Sequence, residues 1–277
     1  IGGEGFIGSR FVELYKEKYN CTTFDLLNDQ NINLDIPRGK IDRIANTPYT
    51  YDIVIFLAAR PNLASVLQNP KEAYRTATQG LSKAIRQYQD AHFIFMSSSM
   101  VYGNWTKDSM TEEDLTSPNN IYGQLKLLGE GIVKQFHSNY TIVRPSAVYG
   151  YGDNPKRVTQ LFINKITNNA PIILKGAGNL FDFTHVDDVV QGLCLICNKG
   201  AENKTYNLTR SEPHTLKEFT LMLYNKLKKE PNFTTEELPV NYPVRGTLDI
   251  SKAKSSLGYN PEYNLSQGLD QVLGRFK

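Results

Sequence analysis

The sequence predicts an α/β fold, a doubly wound parallel sheet with a smaller C-terminal lobe. Short apolar runs alternate with stretches of helical periodicity through about the first 150 residues. One of those runs, YDIVIFLAAR, is apolar almost throughout, as in strands covered on both faces of a parallel sheet. A glycine-rich turn leads directly into a helix at the start of the chain, the junction that binds phosphates in sheets of this kind. At 277 residues the chain suits one large α/β domain or a nucleotide-binding unit with a smaller partner lobe. The division is expected at 1–150 and 151–277, with some later segments returning to the first unit.

Gly2, Gly5 and Gly8 form G-x-x-G-x-x-G with Phe6 and Ile7 between the last two, and SRFVELYKEKY continues at helical spacing. Such glycines let the backbone turn tightly and approach a pyrophosphate held at the positive end of the new helix. A surface turn would share the pattern, but CTTFDLL follows as a short strand reaching Asp25. Asp25 lies roughly the twenty residues downstream at which a Rossmann-like fold places the acid for an adenosine ribose. Together the loop and the acid predict a dinucleotide site, and Asp25 favours NAD because it would repel the 2'-phosphate of NADP. A first strand normally precedes such a loop, so a few upstream residues are expected before Ile1.

The next strand, NINLDI, leads to Asp35 and Ile36, placed to flank an adenine ring, and residues 38–46 read as a short helix. YDIVIFLAAR ends at Leu57, Ala58 and Ala59, whose small side chains would let a cofactor lie across the strand's carboxyl edge. PNLASVLQN leads into a helix from about Pro70 to Tyr88, with proline in the first turn, where it costs no helix hydrogen bond. The strand AHFIFM then runs into Ser97, Ser98 and Ser99.

In NNIYGQLKLLGE, Tyr122 and Lys126 stand four residues apart on one face of a predicted helix. A free phenol ionises only near pH ~10, so it serves as a base at neutral pH when a fixed cation stabilises its phenolate. Lys126 is placed to be that cation. The strand YTIVRPSAVYG closes the alternating half. Beyond it, a helix near 155–168, the strand PIILKG, a helix from Val186 to Cys197, the strand TYNLT, a helix from Leu216 to Lys228 and two short terminal helices are expected.

Net charge is +3, from 31 basic and 28 acidic residues, a balance that gives no case for nucleic acid or an anionic membrane as partner. No apolar run approaches the ~20 residues that span a bilayer, and no signal peptide is visible. The three cysteines, Cys21, Cys194 and Cys197, have no metal-ligand pattern around them, so no metal is expected. They read as thiols in a reducing, cytoplasmic compartment.

GGEGFIG, the LAA strand end, SSSMVYG, YGQLK, RPSAVYG, FDFTHVDD and DISKAKSSLGYNP occur in that order along nearly the whole chain. In this order they resemble the extended short-chain dehydrogenase/reductase family, in its NAD-dependent nucleotide-sugar epimerase/dehydratase branch. The resemblance implies NAD as cofactor, a nucleotide-diphosphate sugar as substrate, a C-terminal substrate-binding lobe and a homodimer. It assigns Tyr122 as the base that takes a proton from a sugar hydroxyl while hydride leaves the same carbon. Lys126 would bind the nicotinamide ribose and hold down the phenol pKa. Ser98 would hydrogen-bond the reacting oxygen, with Ser99 and Ser97 as alternatives, and Arg245 would pair with the substrate diphosphate.

The departures from that pattern matter as well. The family commonly has Thr at Ile1, Asn at Ala77, Asn at Ala147 and Arg at Phe181, the last two being common sugar or diphosphate contacts. Dehydratases and decarboxylases of the family carry acids just after the serine, where this chain has Ser99 and Met100. Epimerisation, at C4 through a transient 4-keto sugar, is therefore the expected activity. The alternatives are a nucleotide-sugar reductase or dehydrogenase, and a non-catalytic NAD-binding regulatory protein.

Overall fold

The computed structural model describes residues 1–25, 50–60, 62–200, 203–240 and 242–275. Four parallel strands stand side by side in the order Ile53–Phe56, His92–Met96, Tyr140–Pro145 and Lys204–Leu208. Phe95 lies opposite Phe56 on one side and Ile142 on the other, so large apolar residues line up across the sheet. Ile1 and Gly2 lie beside the Ile53–Phe56 strand. The Ile1 amine donates to the Ile55 carbonyl at 2.7 Å and the Leu57 N–H to Ile1 at 2.8 Å, while the Gly2 N–H donates to Phe24 at 2.7 Å on the other side.

Strand alternation sends side chains to two apolar layers. Val54, Phe56, Phe93, Phe95 and Ile142 pack on one face with Leu81, Ala84, Ile85 and Val133 from helices Leu81–Gln87 and Ile121–Phe136. Ile94, Met96 and Val143 pack on the other with Phe11, Val189, Val190 and Leu193 from helices Phe6–Tyr15 and Val186–Lys199. The sheet is thus covered on both sides, the doubly wound arrangement expected from the sequence. A separate apolar cluster joins helices Val158–Thr167, Leu216–Lys226 and Leu265–Gly274 around Phe162, Phe183, Phe219 and Leu269.

Two segments differ from the sequence expectation. PNLASVLQN already contains a helix, Leu63–Gln68, because Asn62 and Ser65 close a capping box over its first turn. The helix expected from Pro70 to Tyr88 runs continuously from Pro70 to Gln87 but carries a π turn at Thr76–Gly80 between its α-helical parts Pro70–Arg75 and Leu81–Gln87. There the Thr78 hydroxyl donates to the Tyr74 carbonyl at 2.8 Å and competes with the helix's own hydrogen bonds. The strand and helix expected over residues 31–46 lie outside the described residues.

Candidate active site

The glycine turn sits at the carboxyl edge of the sheet, where strand order places ligands in open α/β folds. Gly2 has φ +79°, and a Cβ there would stand 2.8 Å from the Ala58 nitrogen, so only glycine lets the loop lie this close to the strand end. The helix Phe6–Tyr15 starts at Gly5 with no side chain capping it, so its first N–H groups are open to an anion. A cleft of about 390 Å3 lies in front of them, lined by Gly2, Gly5, Phe6, Asp25, Leu57, Ala58 and Ala59 among others. Asp25 accepts the Glu4 N–H at 3.0 Å. This combination of bare helix start, close glycine, acid and small-residue floor fits a dinucleotide. Ile7 turns instead into the apolar layer behind the helix, and Gly8 lies against Gly2 and Gly3 rather than lining this cleft. Asp35 and Ile36 lie outside the described residues.

The helix Ile121–Phe136 is capped by Asn120, whose side chain accepts the Gly123 N–H at 3.0 Å. It carries Tyr122 and Lys126 to the end of the cleft, where both border a small cavity of about 30 Å3 with Phe56, Ala58, Val66 and Ala77. Gly123 lies so close to the short 3-10 turn Ser99–Tyr102 that a Cβ would press into the Met100 carbonyl. That contact brings Ser98, at the head of the turn, to Tyr122. Burial raises the Tyr122 phenol above its usual pKa, while a hydrogen bond with Ser98 and the charges of Arg157 and Arg245 pull it back down. Lys126 is buried and donates to the Met96 carbonyl at 2.6 Å. Its burial brings the ammonium down to about 8, with Glu130 opposing the shift. The charges that lower the phenol's pKa thus come from Arg157 and Arg245.

The three serines separate by their partners. Ser97 donates to Glu130 at 2.6 Å, Ser98 meets Tyr122, and Ser99 is buried within the 3-10 turn. Glu130 in turn takes a bidentate pair from Arg144, at 2.8 Å and 2.7 Å, and Arg144 also donates to the Tyr102 hydroxyl at 3.0 Å. Arg245 lies over the Phe181 ring at 5.0 Å and against the Met100 sulfur at 2.7 Å. Its inaccessible Nε has no hydrogen-bond partner, and burial lowers its pKa to about 10. Phe181 thus supports the arginine by its ring face. Ala147 holds φ +36°, a left-handed conformation unusual for alanine.

Sequence reading did not single out Arg157 or Glu130. Arg157 donates to the Val148 carbonyl at 2.8 Å and pairs with Asp153 at 3.2 Å, and both line the cleft. Burial raises Asp153 to about 6 despite that partner. The GDNPKR turn carried a signal in its glycine and closely spaced charges, but nothing in it located the opposite wall of a cleft. In FDFTHVDD, where the sequence reads Asp182, Asp187 and Asp188 as lobe-closing and capping residues, the labour is divided differently. Asp182 accepts from Thr209, Thr247, Leu248 and Glu212, at 2.8–3.1 Å. Asp187 pairs with Arg10 at 2.6 Å, Asp188 accepts the Glu262 N–H at 2.7 Å, and His185, not an aspartate, caps the helix.

The family model for the NAD dependent epimerase/dehydratase family matches residues 1–209. A Methanocaldococcus jannaschii protein provisionally named a UDP-glucose 4-epimerase is 30% identical, covering 100% of this chain and 97% of its own length. UDP-glucuronate 4-epimerase 5 of Arabidopsis thaliana is 28% identical, covering 98% of this chain and 69% of its own. The solved structure of MoeE5 in complex with UDP-glucuronic acid and NAD superimposes with a TM-score of 0.87 at 26% identity, covering 99% of this chain and 96% of that one. With that family model matching more than half of its length, this chain belongs to the NAD-dependent epimerase/dehydratase family.

Proposed function

We propose that the protein is an NAD-dependent epimerase of a nucleotide-diphosphate sugar, acting at C4 through a 4-keto intermediate. The observation that carries this reading is the meeting of Ser98 with Tyr122 at the end of the glycine-turn cleft, with Ser99 and Met100, rather than acids, following Ser98. Tyr122 takes the proton of the sugar 4-hydroxyl and later returns it, and Ser98 holds the same oxygen. NAD, when bound, accepts hydride from C4 and gives it back. With no further acid or base after Ser98, the keto sugar turns over and is reduced on its other face instead of losing water. Lys126, one helical turn from the base and bordering the same small cavity, would hold the nicotinamide ribose, and Gly2, Gly5, Phe6, Asp25 and Leu57–Ala59 would hold the remainder of the cofactor.

Arg245 is the proposed diphosphate contact, since among the described residues its guanidinium meets the Met100 sulfur and the Phe181 ring and pairs with no carboxylate. Ser99 is placed to back Ser98. The proposed division is a cofactor unit over 1–150 and a smaller substrate lobe over 151–277, with Lys204–Leu208 returning to the sheet. Exposed Leu67, Tyr74, Leu128 and Phe136, on helices beside one another, support a homodimer through this face. Sedimentation at micromolar concentration should give a dimer, and a monomer would remove that part. Three free thiols and the proposed use of NAD and a nucleotide sugar support a cytoplasmic location, which fractionation would check. No helix among the described residues is long and apolar enough to cross a membrane.

Incubation with NAD and a panel of UDP-, GDP-, CDP- and dTDP-sugars, read by mass spectrometry and NMR, tests the activity. An isomer of unchanged mass is expected. A two-hydrogen mass change would indicate a reductase or dehydrogenase, and no turnover a regulatory binding protein.

A further inference from the structure

We propose that Glu4 is a second carboxylate that selects the cofactor: with Asp25 it makes the ribose edge of the cleft doubly acidic and excludes a dinucleotide bearing a 2'-phosphate. The proposal rests on the dinucleotide reading of the cleft and extends it to a residue outside the glycines and Asp25.

Glu4 occupies the second variable position of GGEGFIG, and Glu4 and Asp25 both line the cleft. Its backbone N–H donates to Asp25 Oδ2 at 3.0 Å, which fixes the turn against the acid. Its carboxylate accepts the Thr23 hydroxyl at 2.5 Å, which fixes the side chain beside the segment that carries Asp25. Gly3 makes room for this: a Cβ there would stand 2.7 Å from Thr23 Cβ.

A ribose diol presents hydroxyl donors to a pair of carboxylates, whereas a 2'-phosphate presents only acceptors and nearly two negative charges. Among the described residues, the two arginines that line this cleft are committed to other acids. Arg60, on the same cleft, is paired with Glu72, and Arg157 with Asp153. Two acids at this edge should therefore discriminate in steps, each contributing about 5–10-fold against NADP at modest ionic strength.

The test is the dissociation constant of NAD and of NADP, by calorimetry, for the wild type, Glu4→Gln, Asp25→Asn and the double variant. Glutamine keeps the size of the side chain and an acceptor for Thr23. In Glu4→Gln, NAD affinity should stay within about threefold and the NADP/NAD affinity ratio should rise about 5–10-fold. Asp25→Asn alone should still prefer NAD, the double variant should lose most discrimination, and the gains should shrink in high salt. Glu4→Ser, which removes the carboxylate without adding an amide, should move the ratio the same way. Equal weakening of both cofactors in the Glu4 variants, or an unchanged ratio, would overturn the proposal by making Glu4 a clamp for the turn. If the wild type binds neither dinucleotide, the cofactor reading fails and the proposal falls with it.

Discussion

Lys126 carries a cost to the fold that its proposed role explains. Its folded pKa of about 8 lies below the ordinary lysine value of 10.5, because burial disfavours the ammonium. The unfolded chain therefore binds the extra proton more readily between those values, and stability rises with pH across that window. Below about 8 the full penalty is present. Lys126→Met should thus stabilise the protein at pH 7 by about 1–3 kcal/mol, partly offset by loss of the bond to Met96, and the gain should fade above pH 10. Thermal melts at several pH values check this, and turnover should be lost. Tyr122→Phe should abolish turnover, by about a thousandfold or more, while NAD binding measured by calorimetry stays within about threefold. Ala147, at φ +36°, should accept asparagine with a gain of about 0.5–1 kcal/mol, seen as a higher denaturation midpoint. The Tyr122–Lys126 spacing was legible from the sequence because both lie on one helix. The partners of the phenol were not, because Arg157 and Arg245 reach it from 35 and 123 residues further along the chain.

At the scale of elements, the helix Ile121–Phe136 is tied to its surroundings by the Glu130–Arg144 pair, with both side chains almost wholly inaccessible. Ser97 joins the same carboxylate, so the strand end before Ser98 and the helix bearing Tyr122 share one anchor. Removing one partner leaves a buried charge without its counterion. Arg144→Met should cost about 3–5 kcal/mol in urea unfolding, and adding Glu130→Gln should recover much of the loss. A loss in Arg144→Met that Glu130→Gln does not recover would show that Arg144 packing, rather than the charge pair, matters. The helix itself follows from the pattern of NNIYGQLKLLGE, with Asn120 as its cap. The π turn at Thr76–Gly80 does not, because it depends on a threonine hydroxyl choosing a backbone carbonyl within the same turn.

Across the whole molecule, the parallel sheet and its covering helices were legible because strands buried on both faces are apolar throughout and alternate with helical spacing. The later part was less so. Its strands are short, two to five residues, and its order rests on side chains such as Asp182, which gathers Thr209, Thr247, Leu248 and Glu212 from distant segments. No local periodicity encodes such a hub. In the proposed reaction, Tyr122, Ser98 and the cofactor cleft together invert one C–H centre within a single bound sugar. The most direct measurement follows deuterium placed at C4 of UDP-glucose and UDP-glucuronic acid during turnover with NAD. The expected result is a C4 epimer of unchanged mass that keeps its deuterium at C4, with no net NADH formed. Loss of the label to solvent, or stoichiometric NADH with an oxidised sugar, would contradict it.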